Sequence, residues 1–221
     1  QPDYQIFSEN QNPEVDNVIV IAYDDLKPVG FVSSLVFTIG ERKVLHLGLT
    51  CVLSTYRGRK ISQRLVGRLL TGYFLRNAIF GKVWISNLAC VLSSLGNVAK
   101  YFDEVYPSPR YQVCPSIQHY IIANEISKNF RRELYIPESA DFDDDKNIFK
   151  HSVTGNMFEK SEGDLQFYHR ESLYNRFYKK LINFNTGDEV LQIGTMSLWS
   201  IVSKSFVKAF KKLKIAWHNP K

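Results

Sequence analysis

The hydrophobic positions change period along the chain, and the changes mark its elements. After a polar stretch over residues 1–16, the run Asn17-Val18-Ile19-Val20-Ile21-Ala22-Tyr23 is β-branched and of strand length. Asp24-Asp25 signals a turn. A second strand is predicted over residues 29–37 after Lys27-Pro28, and a third over 44–52 after Ile39-Gly40-Glu41-Arg42. Three strands joined by short turns make an antiparallel meander. From Lys60 the period lengthens: Ile61, Leu65, Leu69 and Tyr73 recur every fourth residue while Gln63, Arg64 and Arg68 occupy other faces. That is an amphipathic helix, ending between Arg76 and Gly81. Residues 82–87 predict a fourth strand, and the segment up to Phe102 a second helix before Tyr106-Pro107-Ser108-Pro109 breaks it. Strand, helix and strand in succession form a crossover.

Beyond Arg110 the pattern predicts a helix over 117–134, a polar and acidic loop over 140–163 that includes Asp143-Asp144-Asp145, and a helix over 171–184. A short strand over 189–193 follows Thr186-Gly187-Asp188, and a final helix spans 198–217. There is no internal repeat and no shift of composition. Residues 1–110 therefore read as a core and 111–221 as an extension completing the same domain. The expected class is α/β in the broad sense (α+β): a mixed, mostly antiparallel sheet flanked by helices, with a C-terminal helical extension.

Composition narrows the setting more than the function. With 221 residues of which 44% are hydrophobic, the chain can bury a core and is not a disordered segment. A net charge of +6 permits an anionic ligand such as a nucleotide without singling out nucleic acid. The odd, scattered cysteines Cys51, Cys90 and Cys114 have apolar neighbours and suit reduced thiols better than a disulfide framework or a metal cluster. No apolar run approaches the roughly 18 residues of a membrane span, and no leader pattern is visible. The expectation is a soluble, cytoplasmic protein without a metal.

Candidate chemistry begins where the third strand meets the first helix. A chain turning from strand into helix at Tyr56-Arg57-Gly58-Arg59-Lys60-Ile61-Ser62 aims unpaired backbone N–H groups at one point, where an anion fits. Arg57, Arg59 and Lys60 add charge, with Arg64 and Arg68 one and two turns further on. Taken alone, this is equally a basic, solvated helix start. The whole segment Val52-Leu53-Ser54-Thr55-Tyr56-Arg57-Gly58-Arg59-Lys60-Ile61-Ser62, followed by Leu65-Val66 and Leu69-Leu70, resembles the pyrophosphate-binding motif of the GNAT superfamily of acyl-CoA N-acyltransferases. The order of elements over residues 17–109 is similar too, and the run Asp103-Glu104-Val105-Tyr106-Pro107-Ser108-Pro109 looks like one found in a poorly characterised branch of it. Two positions depart from the family: Lys60 and Ser62 stand where glycine, and glycine or alanine, are usual. A lysine with ordinary helical dihedrals there would still present its N–H.

The resemblance implies an enzyme that transfers an acyl group, acetyl first among them, directly from coenzyme A to a primary amine. A long-chain acyl donor on coenzyme A or on a carrier protein, and a GNAT-like scaffold that binds without turnover, remain as alternatives. It also implies roles. Arg57, Gly58, Arg59, Lys60, Ile61 and Ser62 would hold the pyrophosphate, and the bulged strand positions Cys51, Val52 and Leu53 would flank the pantetheine, with the Val52 N–H polarising the thioester carbonyl. Asn87 or Asn97 would contact the cofactor, and Tyr101 or Tyr106 would act as general acid. His46 stands where many members carry a carboxylate, and without an intervening bulge His46, Gly48, Thr50 and Val52 share a strand face, which makes His46 a candidate base. In the family a strand and helices before the meander line the acceptor site; here either a preceding segment or the C-terminal half would supply that wall. In the predicted final helix Leu198, Val202, Phe206, Ala209, Phe210, Leu213 and Trp217 form an apolar stripe opposite Lys204, Lys208, Lys211 and Lys212. That helix packs on the core with a solvated lysine face, or meets an anionic membrane or an acidic carrier protein.

Overall fold

The computed structural model describes residues 12–77, 81–110, 114–155, 158–197 and 200. The meander forms as the alternation predicts: β1 (Val15–Asp24), β2 (Lys27–Ile39) and β3 (Arg42–Val52) are antiparallel neighbours, each a little longer than its hydrophobic run. The helix α1 (Ile61–Asn77) then crosses to β4 (Lys82–Ala89), which lies parallel to β3. α2 (Leu92–Tyr101) leads into a short strand, β5 (Asp103–Tyr106), and α3 (Ile117–Asn129) follows. The last part contributes β6 (Asp141–Asp143), β7 (Ile148–Lys150), α4 (Ser172–Tyr178) and β8 (Glu189–Ser197).

These strands join in one mixed sheet of order β1-β2-β3-β4-β8-β7-β6, with β5 also pairing β8. Among the described residues every strand pairing except β3 with β4 is antiparallel, so the expected class, a mostly antiparallel sheet flanked by helices, is what the chain adopts. One face is packed by α1 and α2: Leu65, Leu69, Tyr73 and Phe74 of α1 and Val98 of α2 bury against Val32, Val36, Leu45 and Ile85. α4 closes that side further along, with Tyr174 and Tyr178 against Leu92, Leu95 and Val190. The other face is packed by α3, whose Ile122, Ala123 and Ile126 meet Leu35, Phe37, Val44, Leu191 and Ile193. Each such apolar side chain taken from water stabilises the fold by about 1.5–3 kcal/mol.

Several expectations are corrected. The acidic stretch over 140–163 is not all loop: it carries the β6–β7 hairpin, held because Phe142, Ile148 and Phe149 turn inward while the aspartates stay near the surface. The helix expected over 117–134 stops at Asn129, and that over 171–184 is the shorter α4. The strand expected over 189–193 extends to Ser197 and runs against β4 along its whole length. After β8, Ser197 and Ser200 each accept from the other's backbone N–H, the reciprocal pattern that opens a helix. Apart from Ser200, the helix predicted over 198–217, with its four lysines, lies outside the described residues. Among the described residues no helix is long and apolar enough to cross a membrane.

One irregularity in the sheet sets the course of β3 beside β4. Leu47 stands opposite Ser34 and Thr50 opposite Val32, so two residues of β3, Gly48 and Leu49, face the single Ser33 of β2. This is a β-bulge. Gly48 is what permits it, because a Cβ there would lie 2.6 Å from the Ser33 carbonyl oxygen. We expect Gly48→Ala to lower stability by about 1–3 kcal/mol through overpacking against backbone. A urea midpoint unchanged from that of the parent chain would show that the bulge tolerates a side chain.

Candidate functional site

The turn from β3 into α1 is built from both sides. A 3-10 turn at Ser54–Tyr56 ends β3, with the Tyr56 N–H bonded to the Leu53 carbonyl at 2.9 Å and the Arg57 N–H to that of Ser54 at 3.2 Å. The Tyr56 hydroxyl donates to Asp24 at 2.7 Å, which pins the turn to the end of β1, and the Arg59 guanidinium lies 4.8 Å above the Tyr56 ring. The first backbone bond of α1 runs from the Arg64 N–H to the Lys60 carbonyl at 3.2 Å. The N–H groups of Ile61, Ser62 and Gln63 therefore precede the helical ladder and point out of its end. The first turn of α1 holds no acidic residue, and Arg57, Arg59 and Lys60 are exposed around it. Partial positive charge at the helix end thus lies beside three exposed basic residues in the chain, a setting that attracts an anion.

Lys60 adopts a conformation that its sequence context hides. Its φ is 61°, in the left-handed region, and not helical as expected; Gly58 has φ 80°. That backbone shape favours glycine, and the lysine holds it at a cost of about 1–2 kcal/mol.

A gap opens beside this turn. β3 and β4 pair only from Val44 opposite Trp84 to Leu47 opposite Asn87, although β3 continues to Val52 and β4 to Ala89. Past the bulge the two strands separate. The Leu53 N–H donates to the Val29 carbonyl at 3.0 Å, and Gly30 stands opposite Val52. Antiparallel ladders alternate, so the N–H and C=O groups of Val52 and Thr50 turn away from β2 and face the gap. The gap thus has backbone donors along one wall and the helix end at its mouth.

The residues singled out from the sequence are distributed unevenly about it. Val52 borders the gap and its side chain packs on the α1 face. Leu53 stands next to it, but its N–H is spent on β2. The bulge falls at Gly48–Leu49 and not at Cys51 to Leu53, and its extra residue reverses the alternation, so His46 and Val52 do not share a face. His46 sits opposite Leu35 under α3, is 4% exposed, lies against the Phe37 ring at 5.6 Å and bonds Ser86 Oγ through Nδ1 at 3.0 Å. Burial pushes its imidazole down to about 3, which makes it a poor proton acceptor near neutrality. Cys51 shares that face; burial raises its thiol while Arg57 pulls the other way.

Asn87 and Tyr101 are also placed differently from expectation. Asn87 lies at the inner end of the gap, but its amide is committed inside the fold: Nδ2 donates to Gln192 Oε1 at 3.1 Å and Oδ1 accepts from Ser94 Oγ at 3.5 Å. Gln192 in turn donates to the Tyr178 hydroxyl at 2.6 Å, and that hydroxyl donates to the Pro107 carbonyl at 3.0 Å. Tyr101 ends α2, two residues before Asp103, which pairs Thr195 opposite Trp84 near the start of β4. The gap is at the other end of that strand. Tyr106 pairs Ile193 and its hydroxyl donates to the Asp145 carbonyl at 2.6 Å. Asn97 lies within α2. Sequence reasoning missed the Tyr56 to Asp24 tie and put the bulge too late in the strand; Gly48 in a strand interior was the available signal for its position. Among the described residues no group of three or more His, Cys, Asp or Glu side chains is arranged to hold a metal ion.

No protein-family model matches the chain, and no curated protein matches it in sequence. Among solved structures it is similar to an aminoglycoside 6'-N-acetyltransferase crystallised with coenzyme A, at 16% identity over 83% of this chain and 74% of that one, with a TM-score of 0.31. So loose a superposition carries no argument beside the geometry above.

Two outcomes follow from these positions. Lys60→Gly is expected to raise stability by about 0.5–1 kcal/mol, the relief of left-handed strain exceeding the entropy that glycine adds to the unfolded chain; an unchanged or lower melting temperature would contradict the assigned conformation. His46, with its folded value near 3 against an ordinary 6.5, stabilises the fold above pH 6.5 and loses that contribution as pH falls toward 3. The difference in unfolding free energy between parent and His46→Gln should therefore shrink by about 1.4 kcal/mol per pH unit between pH 6 and 4. A difference independent of pH would mean that the imidazole is not held neutral.

Proposed function

We propose that this chain is an acyl-CoA-dependent N-acyltransferase of the GNAT type, moving an acyl group, acetyl by preference, from coenzyme A to a primary amine. The observation that carries the reading is the gap between β3 and β4, with its inward Val52 and Thr50 N–H groups, opening directly onto the anion-attracting end of α1. A diphosphate held by Arg57, Arg59, Lys60 and the free N–H groups of Ile61 and Ser62 would leave the pantetheine arm to run along the gap. Its amides would pair with the exposed edge of β3 as a strand would. The Val52 N–H would then meet the thioester oxygen where negative charge develops, a contact that strengthens in the transition state. Acyl transfer to a neutral amine needs alignment and removal of a proton more than it needs a covalent intermediate. The face opposite α1 and α2, partly covered by α3, supports the view that the C-terminal half supplies the acceptor wall.

Calorimetry with coenzyme A tests this. Saturable binding is expected, weakened about tenfold or more by Arg57→Ala through loss of a charge-assisted bond. Gly58→Glu should abolish it, since it places a carboxylate at the phosphate site and a side chain at φ 80°. A parent chain that takes up no coenzyme A would refute the reading. Thiol release from acetyl-CoA compared with long-chain acyl-CoA then identifies the donor.

A further inference from the structure

Where β4 ends, the wall of the gap carries a cluster of ionisable groups that the reading above leaves unused. Cys90 follows the last residue of β4, and the ladder that sets Ala89 opposite Val190 puts Glu189, the first residue of β8, opposite Cys90. The two sense each other: after burial, the Glu189 charge is the next cause raising the Cys90 thiol, while Lys160 opposes it. Cys90 Sγ donates to the Phe158 carbonyl at 3.4 Å. Glu189 also stands opposite Phe149 of β7, which belongs to the core under α3, so its side chain is on that face of the sheet. Ser152 Oγ donates to Glu189 Oε2 at 2.5 Å. The neighbouring Asp188 is spent on the loop, accepting from the His151 and Asn183 N–H groups and the Thr186 hydroxyl.

The faces decide how an acceptor can arrive. α1 and α2 close one side of the sheet. α3 packs the other side over Leu35, Phe37 and Val44 but leaves Phe31 and Cys51, level with the gap, half-buried, so an amine that reaches the thioester from there arrives on the face where Glu189 is held one strand from the gap. We propose that Glu189 takes the proton from the amine acceptor, with Ser152 holding its carboxylate in place. This rests on the acyl-CoA reading.

The step balances. A proton passes from R–NH3+ to the Glu189 carboxylate, and the freed nitrogen lone pair forms a C–N bond to the thioester carbon while the carbonyl π pair moves to an oxygen facing the Val52 N–H. Collapse breaks the C–S bond, the thiolate takes the remaining nitrogen proton to leave as the free thiol, and Glu189 returns its proton to water. The environment suits the task. Burial pushes the Glu189 carboxyl up to about 7 against the Ser152 hydrogen bond, which works to lower it. A base with that value is ionised in useful amount at neutrality and strong enough to accept a proton.

The test follows glutamate carboxyls by carbon-13 spectroscopy in the full chain, Glu189→Gln assigning the signal, while calorimetry registers acetyl-CoA separately. Glu189 is expected to titrate near neutrality, Ser152→Ala to move its midpoint up by half a pH unit or more, and saturating acetyl-CoA to move it by a similar amount. Thiol release from acetyl-CoA to ethylamine should fall at least a hundredfold in Glu189→Gln, and its acid limb should move to higher pH in Ser152→Ala. A midpoint indifferent to bound acetyl-CoA, or turnover within threefold of the parent in Glu189→Gln, overturns this proposal and leaves the acyl-CoA reading standing. Absence of acetyl-CoA binding removes both.

Discussion

A single surplus residue in β3 sets the course of that strand beside β4, and with it the cleft. With two residues, Gly48 and Leu49, spanning the place of one, the strand twists away from β4, and the parallel pairing ends at Leu47 and Asn87. Had the ladder continued, the N–H groups of Thr50 and Val52 would be bonded across it, and a β-sheet interior would stand where the gap now is. The bulge also exchanges faces. Leu45 and Leu47 before it, and Thr50 and Val52 after it, all look toward α1, which even spacing alone would forbid. Sheet geometry thus creates a cleft without a loop, lined by backbone whose direction is set by hydrogen bonds to β2.

Rigidity around that cleft comes from contacts at long separation in the chain. The turn into α1 is moored to β1 through Tyr56 and Asp24, and Lys60 is kept in a left-handed shape that an isolated peptide would leave. At the inner end, Asn87, Gln192, Tyr178 and the Pro107 carbonyl form a buried chain of hydrogen bonds joining β4, β8, α4 and the segment after β5. Every member that is removed from water has a partner, which is the condition under which such a chain specifies one arrangement and does not weaken the core.

What could be read in advance follows from physical range. The meander, α1, β4 and α2 each repeat a hydrophobic period over seven or more residues, enough for neighbours to reinforce the signal. β5, β6 and β7 have three or four residues each, too few for a period to stand out, and the aspartates around Phe142 mask the one inward position there. The bulge changes one residue and inverts every assignment beyond it, so period-two reasoning placed His46 and Val52 together when the fold parts them. The burial of His46 is caused by α3, some seventy residues away, and the commitment of Asn87 by Gln192, 105 residues away. Local pattern has no access to either. The basic turn at Tyr56 to Ser62 was visible because its chemistry and its geometry are both local.

The position of β8 has a consequence for how the chain is made. A nascent polypeptide that has emerged as far as β5 holds β1 to β4 and α1, but one edge of β4 is bare, and the partners of Asn87 and Trp84 are still in the ribosome. That bare edge is parallel to β3, apolar and about eight residues long, the kind of edge to which other strands adhere. The gap wall cannot be completed until Ser197 has been synthesised, so the interval between the emergence of β4 and that of β8 is when this sheet is most exposed to misassociation.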